Sequence, residues 1–367
     1  MNQLIKHFLR QSAIARKTAA FVRKPIFLLS KDYQCLKDTK GKKRIIYLAE
    51  IDHGNLGDHA INYAVRELMA PYRSKFENEI TVGNKYCQAA IDSIGKETGE
   101  NDLIIVPGGG WIGTLWKESG ELFIKILEVC SKSKIIVFPQ TITFDATEYG
   151  REQKEKLYHA IENCGALLLM VRDKKSYDFL MNKMPKENSH IRYLLTPDAA
   201  LSIHPNLNYQ RNRTVGFCFR KDKEKAVSAD IVSEIKQYAV TEGYDVVEFD
   251  TVRAEHIRPE QRKEALYQLW GELAKMKLVV TDRLHGMIFA AITNTPCLAF
   301  NNVNGKVSAV YELWLSDNKN IKVLNLSRDD WKKEFSDLIE NCGANTLEND
   351  ELKSQFKNTS EIIAEFI

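Results

Sequence analysis

Residues 277–300 read KLVVTDRLHGMIFAAITNTPCLAF. In this segment a short apolar run is followed by a polar turn, a longer apolar stretch and a second short apolar run. The order predicts a buried strand, a helix and another buried strand. Because continuous apolar strands separated by helices are typical of a parallel sheet covered on both faces, the segment predicts an α/β fold.

The same alternation extends through most of the chain on either side of this segment. Further apolar runs with strand character lie at 44–50, 101–110, 133–140, 166–173, 192–198, 214–220, 244–250 and 320–326. The polar stretch HPNLNYQRNR at 204–213 divides the runs into two groups. A chain of 367 residues is also longer than one hydrophobic core usually serves. We predict two Rossmann-like domains, 44–205 and 206–327, whose parallel sheets face each other across a cleft.

The two ends of the chain differ from these domains. Residues 1–44 contain 12 Lys and Arg against 2 Asp and Glu, although the net charge of the whole chain is only +3. Apolar residues recur among them at partly helical spacing, so 1–43 is interpreted as a basic amphipathic arm. Such an arm either lies on an anionic membrane surface or packs on the protein or on another subunit. The segment 328–367 is predicted to be helical and to pack back on the N-terminal domain.

Composition narrows the classes of function. The longest apolar runs are shorter than the roughly 20 residues that span a bilayer, and no signal-peptide core is visible, so we expect a cytoplasmic protein. A net charge of +3 does not indicate nucleic-acid binding. The seven cysteines are scattered and form no CxxC pair, which favours reduced thiols over a zinc site or a disulfide framework.

Charged side chains follow the strand that opens the 277–300 segment. Ligands of open parallel sheets bind at the carboxyl ends of the strands, and Arg283 and His285 lie there at the start of a helix. A planar cation, an imidazole and free backbone N–H groups predict an anion site. Arg220 ends the first strand of the same half and can converge on this site. In the structural alternative, an Arg–Asp pair braces the loop and His285 is an ordinary packed residue.

The loop after the first strand reads GNLGDHA at 54–60. Its two glycines can adopt backbone conformations that other residues avoid, and a following helix start can bind an anion. The bland interpretation is a tight turn in which Asp58 caps the helix.

A second glycine-containing loop, PGGGW at 107–111, follows another strand. Three glycines at a strand end suggest the close approach of a ligand or of a neighbouring loop. Trp111 can then offer a stacking face to a sugar ring. Alternatively, its indole fills the groove between the domains.

Taken together, the motifs resemble a known family. The chain contains, in this order, GNLGDHA, PGGGW, FPQT, LLLMVRDKKSY, TPDAAL and TDRLHGMIFAAITNTPCLAF. This combination resembles the polysaccharide pyruvyl transferases of bacterial exopolysaccharide and cell-wall biosynthesis, over roughly residues 44–325. The resemblance implies a two-domain fold similar to the GT-B glycosyltransferases. It also implies transfer of pyruvate from phosphoenolpyruvate to two hydroxyls of one sugar, which yields a cyclic ketal and free phosphate.

The resemblance assigns the donor side of the reaction to the second domain. The donor-binding Arg and His of the family correspond to Arg283 and His285, and a further family Arg corresponds less directly to Arg220, beside Lys221. An acid with a pKa near neutrality would protonate the donor methylene, for which His285 is the candidate. Asp58 is the candidate base for the sugar hydroxyl. No metal or cofactor is expected, since the arginines supply the positive charge.

The acceptor side is expected in the first domain, where glycines would let a sugar approach the backbone. The residues assigned to it are Asn55, Gly57, Gly109, Gly110 and Trp111, with His59 beside them. The acceptor is expected to be a lipid-linked oligosaccharide at the cytoplasmic face of the membrane. The arm at 1–43 would then hold the enzyme as a peripheral protein on anionic lipid.

Two other functions are compatible with the pattern. One is a GT-B glycosyltransferase that uses a nucleotide sugar, although no set of residues for binding a base and a ribose is recognisable. The other is a non-catalytic scaffold of a polysaccharide assembly complex that keeps the fold. The presence of Arg220, Arg283 and His285 together favours the enzyme over the scaffold.

Overall fold

The computed structural model describes residues 13–220, 226–302, 305–325, 330–340 and 350–367. Two β-sheets follow one another along the chain, strands β1–β7 in the first and β8–β12 in the second. The strands are β1 (Arg44–Glu50), β2 (Asn78–Gly83), β3 (Asp102–Val106), β4 (Gly109–Gly113), β5 (Lys134–Thr143), β6 (Ala166–Val171), β7 (Ile191–Leu195), β8 (Thr214–Cys218), β9 (Asp245–Glu248), β10 (Leu278–Thr281), β11 (Cys297–Phe300) and β12 (Ile321–Leu324). The α/β fold expected from the alternating pattern is confirmed.

Both sheets are parallel, so each presents all its strand ends at one edge. The first has the order β2-β1-β3-β5-β6-β7, with β4 also paired to β5, and the second has the order β12-β11-β10-β8-β9. In the second sheet, Val279 of β10 aligns with Cys297 of β11 on one side and with Gly216 of β8 on the other. This register brings the carboxyl ends of β8 and β10 side by side.

Two strands differ from the sequence prediction. The edge strand β2 was not predicted, because only Ile80 and Val82 are buried and the residues between them are polar or partly exposed. The predicted strand at 101–110 is instead two strands, β3 and β4, interrupted at Pro107 and Gly108. A proline lacks the backbone donor that a central ladder needs, which accounts for the break.

Helices cover both sheets. Within the described residues they are α1 (Ala13–Leu28), α2 (Lys31–Asp38), α3 (Leu56–Met69), α4 (Asn84–Glu97), α5 (Lys117–Val129), α6 (Glu148–Glu162), α7 (Lys174–Lys183), α8 (Ala229–Thr241), α9 (Arg262–Lys275), α10 (Leu284–Ile292), α11 (Lys306–Val310), α12 (Trp331–Glu340) and α13 (Asp350–Phe366). Several begin at a side-chain cap that accepts a bond from an otherwise unpaired backbone N–H, as Thr147 does for α6 and Ser228 for α8.

One hydrophobic core joins the two domains. Ala60 and Ala64 of α3 belong to the same buried cluster as Leu266 and Trp270 of α9 and Phe289 of α10. Because α3 follows β1 of the first sheet whereas α9 and α10 flank β10 of the second, this cluster spans the junction between the domains.

A buried polar network lies at the same junction. Glu50, at the end of β1, accepts hydrogen bonds from Arg262 of α9 and from Arg66 of α3. Arg262 Nε also donates to Nδ1 of His59 at 3.1 Å. Burial lowers the pKa of His59 to about 4, so its imidazole is neutral at pH 7 and can accept this bond. His59 is thus a structural residue of the domain interface and does not face an acceptor.

The described part of the N-terminal arm packs on the first domain. Phe27 of α1 and Leu36 of α2 are fully buried. Arg44 donates to the backbone oxygen of Leu36 at 2.6 Å and forms a buried ion pair with Asp102. Residues 1–12 lie outside the described residues. Among the described helices, none is long and apolar enough to cross a membrane.

The two C-terminal helices pack on different domains. α12 contributes Phe335 and Leu338 to the core of the second sheet. α13 instead returns to the first domain, where the backbone oxygen of Ser360 accepts a bond from Tyr72 at 2.7 Å. The expectation that the segment 328–367 packs on the N-terminal domain therefore applies to α13 and not to α12.

Candidate active site

A cleft of about 600 Å³ opens where the strand ends of the two sheets face each other. Eight of the predicted site residues line it: Asn55, Asp58, Gly109, Gly110, Trp111, Arg220, Arg283 and His285. Lys221 lies outside the described residues. Gly57 is adjacent to the cleft but contacts the other domain, as described below.

The loop after β1 is fastened to the second domain through its backbone. Leu56 N–H donates to the oxygen of Thr251 at 2.8 Å, and Arg253 N–H donates to the oxygen of Gly54 at 2.8 Å. A Cβ atom added at Gly54 would lie 2.0 Å from the backbone oxygen of Arg253. The first glycine of GNLGD is therefore required for contact between the domains, not for the approach of a sugar.

The start of α3 is capped by Asn55, so the cap predicted at Asp58 is wrong. Asn55 Oδ1 accepts a bond from Gly57 N–H at 3.0 Å, while its Nδ2 donates to Asp58 Oδ2 at 2.7 Å. The Nε2 atom of His53 lies 3.6 Å from the same carboxylate oxygen. Asp58 is thus held in place at the cleft wall without being used as a cap.

Gly57 packs against the imidazole of the opposite domain. A Cβ atom at this position would lie 2.4 Å from Nδ1 of His285. Only glycine leaves room for the ring, so the assignment of Gly57 to the acceptor side is corrected. The contact also brings the N-terminus of α3 next to His285, which itself lies in the first turn of α10.

The turn after β10 is braced by its neighbours. Asp282 Oδ1 accepts a bond from the backbone N–H of Arg220 at 2.8 Å, which ties the end of β10 to the end of β8. The guanidinium of Arg283 pairs with Asp250, after β9, at 2.8 Å. Burial raises the pKa of Asp282. The predicted Arg–Asp pair therefore exists, with Asp250 as the partner.

Despite these contacts, some buried polar atoms of the turn have no hydrogen-bond partner. Of seven buried side-chain atoms that lack a hydrogen bond in the described part of the chain, three belong to this turn: Asp282 Oδ2, Arg283 Nε and His285 Nε2. Buried polar groups are nearly always hydrogen-bonded in folded proteins, so each exception needs an explanation. Three of the seven lie in this one turn beside the cleft.

Two charged residues of the first domain were not assigned by the sequence analysis: Arg172, which lines the cleft, and Asp198, which pairs with it. Arg172, directly after β6, is buried and forms an ion pair with the buried Asp198, after β7. Arg172 Nε also donates to Thr141 at 3.0 Å. The dipeptides RD and PD at the ends of two neighbouring strands were the available signal, because parallel strand ends share one edge.

Lys306 adds another cation to the cleft. A Cβ atom at Gly110 would lie 3.3 Å from Nη2 of Arg172 and 3.5 Å from Nζ of Lys306. The glycine loop thus lies directly beside two cations, one from each domain. Lys306 begins α11 outside every motif discussed above, so the sequence offered no signal for it.

The two indoles at the cleft differ in orientation. Trp111 Nε1 donates to the backbone oxygen of Gly108 at 3.3 Å, and the ring packs edge-on against Phe123 at 5.7 Å. Trp111 is therefore folded onto its own domain and does not fill the interdomain groove. Trp116, which the sequence analysis did not identify, lines the same cleft and is 43% exposed.

The electrostatics of His285 result from opposing neighbours. Burial lowers the pKa of this imidazole, the Asp198 and Asp58 carboxylates raise it, and Arg172 and Lys306 lower it further; the net direction is down. Burial also acts to raise the pKa of Asp198, but the Arg172 guanidinium and the Ala200 N–H outweigh it and hold that pKa below its ordinary value. His285 is accordingly neutral at pH 7, and Asp198 is charged.

The side chains of the cleft suit an anion rather than a metal ion. Guanidinium groups line the cleft from both domains, and Lys306 adds an ammonium group. Arg283 and Lys306 lie at the N-termini of α10 and α11, where a helix favours an anion. Among the described residues, no group of three or more His, Cys, Asp or Glu side chains is arranged to hold a metal ion.

Comparison with known proteins identifies the family. The sequence model described as polysaccharide pyruvyl transferase matches residues 55–304. General stress protein 30 of Bacillus subtilis is 31% identical over 278 residues, which cover 75% of this chain and 78% of that protein. Pyruvyl transferase 1 of Schizosaccharomyces pombe is 25% identical over 320 residues, which cover 83% of this chain and 77% of that protein.

A solved structure shares the fold. The crystal structure of an uncharacterised protein from Klebsiella pneumoniae superposes with a TM-score of 0.53 at 20% identity, covering 80% of this chain and 96% of that one. The family match includes most of the loop after β1, the glycine loop and the turn after β10, all of which line the cleft. The resemblance inferred from the motifs is confirmed: the chain belongs to the polysaccharide pyruvyl transferase family.

Proposed function

We propose that this protein transfers pyruvate from phosphoenolpyruvate to two hydroxyls of one sugar in a surface polysaccharide or exopolysaccharide precursor. The products are a cyclic pyruvate ketal and free phosphate. The observation that carries the proposal is the set of cations that line the cleft from both domains, with the buried Nε of Arg283 unpartnered among them. A small ligand with two anionic groups matches this set in charge and in size.

The donor is proposed to lie against the turn after β10. Phosphoenolpyruvate carries a carboxylate and a phosphate on one short frame, and planar guanidinium groups bind both kinds of anion in a bidentate manner. Arg283 and Arg220 approach from the second domain, while Arg172 and Lys306 lie together beside Gly110. Lys221, which follows Arg220 in the chain, is included in the donor side on the strength of the family resemblance.

The first chemical step is an addition across the double bond of the donor. Protonated His285 gives a proton to the methylene carbon, which becomes the methyl group, while the oxygen of one sugar hydroxyl bonds to the adjacent carbon. Asp58 accepts the proton of that hydroxyl. The carbon then bears the methyl, carboxylate, phosphate and sugar oxygen groups.

The second step closes the ketal. The bond between this carbon and the phosphate oxygen breaks, and its electron pair leaves with the phosphate. The second hydroxyl of the sugar bonds to the same carbon, and its proton returns to His285. The proton held by Asp58 passes to the departing phosphate, so that atoms and charge balance and both side chains return to their starting states.

The protonation of His285 follows from the binding of the donor. In the free protein, burial lowers the pKa of this imidazole. A bound phosphoenolpyruvate brings negative charges close to the ring, and an opposite charge within ~4–6 Å favours the charged form. The acid is therefore formed when the donor is in place, which limits wasteful proton transfer in its absence.

The direct test measures phosphate release from phosphoenolpyruvate by the purified protein. Release is expected only when a saccharide acceptor is also present, and mass spectrometry of the acceptor is expected to show the added pyruvate ketal. Nucleotide sugars are offered in parallel as competing donors. Sugar transfer from one of them, without phosphate release from phosphoenolpyruvate, would overturn the proposal in favour of a glycosyltransferase.

The acceptor is proposed to enter from the first domain, beside Asn55, Gly109, Gly110 and Trp111. The exposed indole of Trp116 at the same wall supports this placement, because a flat apolar face can stack on a sugar ring. Replacing Trp116 with alanine is expected to raise the KM for the acceptor about tenfold, the effect of losing roughly 1.4 kcal/mol of contact. The KM for phosphoenolpyruvate should stay the same, and an equal rise in both constants would contradict this placement.

We further propose that the enzyme works on a lipid-linked acceptor at the inner face of the cytoplasmic membrane, where α1 contacts anionic lipid. The support is an apolar stripe on α1 and the residue after it, formed by Phe21, Val22, Ile26 and Leu29, all exposed. Lys24 and Lys31 are exposed close to this stripe and match anionic headgroups in charge.

Flotation with lipid vesicles tests the membrane proposal. The protein is expected to float with vesicles that contain phosphatidylglycerol and not with pure phosphatidylcholine. The double variant Phe21→Ser, Leu29→Ser should stay with the unbound fraction, because it removes the two most exposed apolar side chains of the stripe. Val240→Ser, an exposed apolar residue of the second domain, is the matched control. Equal flotation of the double variant and the control would refute the role of α1.

A further inference from the structure

Asp198 occupies a position that no motif or family feature discussed above assigns to a role. It is 1% exposed and follows β7 in the first domain. Its Oδ1 accepts a bond from Ala200 N–H at 2.9 Å and thereby caps a short 3-10 turn. Its Oδ2 is shared between Arg172 of the same domain and His285 of the opposite domain.

The contact with His285 involves a nitrogen that nothing else satisfies. Nε2 of the imidazole is buried without a hydrogen-bond partner and lies 3.7 Å from Oδ2 of Asp198. The other ring nitrogen, Nδ1, lies on the side of Gly57. The charged groups that face the ring are Asp198 and Asp58, which are acidic, and Arg172 and Lys306, which are basic.

We propose that Asp198 is a positioning residue of the reaction, which keeps a proton on Nε2 of His285 and stabilises the imidazolium form. Nδ1 is then the nitrogen that exchanges a proton with the substrate, and the carboxylate itself stays ionised throughout. The inference rests on the proposed function of the cleft, since it assigns to His285 the acid role described above.

The shared oxygen explains how the site keeps a charged acid in a cationic surrounding. Arg172 and Lys306 attract the anionic donor, but they also repel an imidazolium. Asp198 opposes the repulsion from both cations, because its carboxylate lies beside Nε2 of His285, where positive charge develops. Because Asp198 lies in the first domain and His285 in the second, the acid is assembled only when the two domains are held together.

The pH dependence of kcat tests the proposal through the direction in which the alkaline limb of the profile shifts. A general acid must be protonated, so activity falls as pH rises through the pKa of His285 in the complex. Asp198→Asn removes a carboxylate that favours the proton, and the alkaline limb is expected to move down by about 1 pH unit. Arg172→Gln removes a cation that disfavours the proton, and the limb should move up.

A matched control separates this effect from general damage to the site. Asp173→Asn removes another buried carboxylate, which caps α7 one residue after Arg172 and is not among the main groups that shift the pKa of His285. Its pH profile is expected to coincide with that of the wild type. An unmoved limb in Asp198→Asn, or a shift in the same direction as in Arg172→Gln, would overturn the proposal.

A second measurement requires neither catalysis nor a stable variant at Asp198. In the free wild-type protein, ¹⁵N spectra of the histidine rings are expected to show His285 as the tautomer with the proton on Nε2. The signal is assigned by its loss in His285→Gln. A ring that carries its proton on Nδ1 would refute the role of Asp198. If the tautomer is as expected but phosphate release fails, the proposed function is wrong while the pairing of Asp198 with His285 stands.

Discussion

Replacing Arg283 with alanine is expected to lower kcat/KM for phosphoenolpyruvate about 1,000-fold, the upper part of the range for losing one preorganised charged donor. The residue is 8% exposed, and its guanidinium has an unpartnered Nε at the cleft. The substitution removes this donor and also leaves Asp250 without its cation. A negative charge that was balanced then faces the incoming anion, so the loss exceeds that of one hydrogen bond.

The comparison of two variants tests this account. Arg283→Lys keeps the charge but loses the planar fork, and it should fall between the wild type and the alanine variant. Arg213→Ala removes an exposed arginine of the same domain, whose guanidinium donates to the backbone oxygen of Gly243 at 3.0 Å and lies over the ring of Tyr244. This variant should leave kcat/KM unchanged. Wild-type kinetics in Arg283→Ala would remove Arg283 from the donor site.

The local pattern around residues 277–300 is sufficient to predict β10, α10 and β11, because each is buried and bounded by a polar turn. The edge strand β2 was beyond such reasoning. Only two of its side chains are buried, and its place in the sheet is determined by the pairing of its Ile80 with Ile46 of β1. A continuously buried strand can be recognised by its apolar run in the sequence, whereas the pairing of an edge strand produces little recognisable pattern.

The residues of the candidate site also divide into those with a local signal in the sequence and those explained only by contacts with the other domain. Arg283 and His285 could be predicted because their cationic and imidazole groups lie at a strand end before a helix. The roles of Gly54 and Gly57 could not, since each is explained by an atom of the opposite domain, the oxygen of Arg253 and the ring of His285. A glycine in a loop indicates that there is little room for a side chain at that position. It does not indicate whether a ligand or the protein itself fills the space.

Replacing His285 with glutamine is expected to lower kcat about 100- to 10,000-fold, the usual contribution of a general acid. The Kd for phosphoenolpyruvate should rise much less than in Arg283→Ala. Since burial lowers the pKa of this imidazole, the ring is neutral in the free protein at pH 7 and becomes charged only in the complex, so it adds less to binding than a permanent cation does. Stopped-flow binding and steady-state kinetics on the same preparation measure the two quantities separately.

The pH profile of this variant adds a condition that a structural role would not meet. In the wild type, kcat is expected to decline as pH rises above the pKa of His285 in the complex, because the protonated form is lost. The residual activity of His285→Gln should lack this alkaline limb, since its amide does not titrate. A retained limb would show that another group supplies the proton.

The two variants together separate binding from proton transfer. Arg283→Ala weakens the affinity for phosphoenolpyruvate because it removes a charge that acts before and during the reaction. His285→Gln weakens the affinity much less and slows the step in which the methylene carbon is protonated. If both variants instead weakened binding to the same degree, His285 would serve as a ligand for the donor, and the acid would have to be sought among the other titratable groups of the cleft, beginning with His53 at 3.6 Å from Asp58.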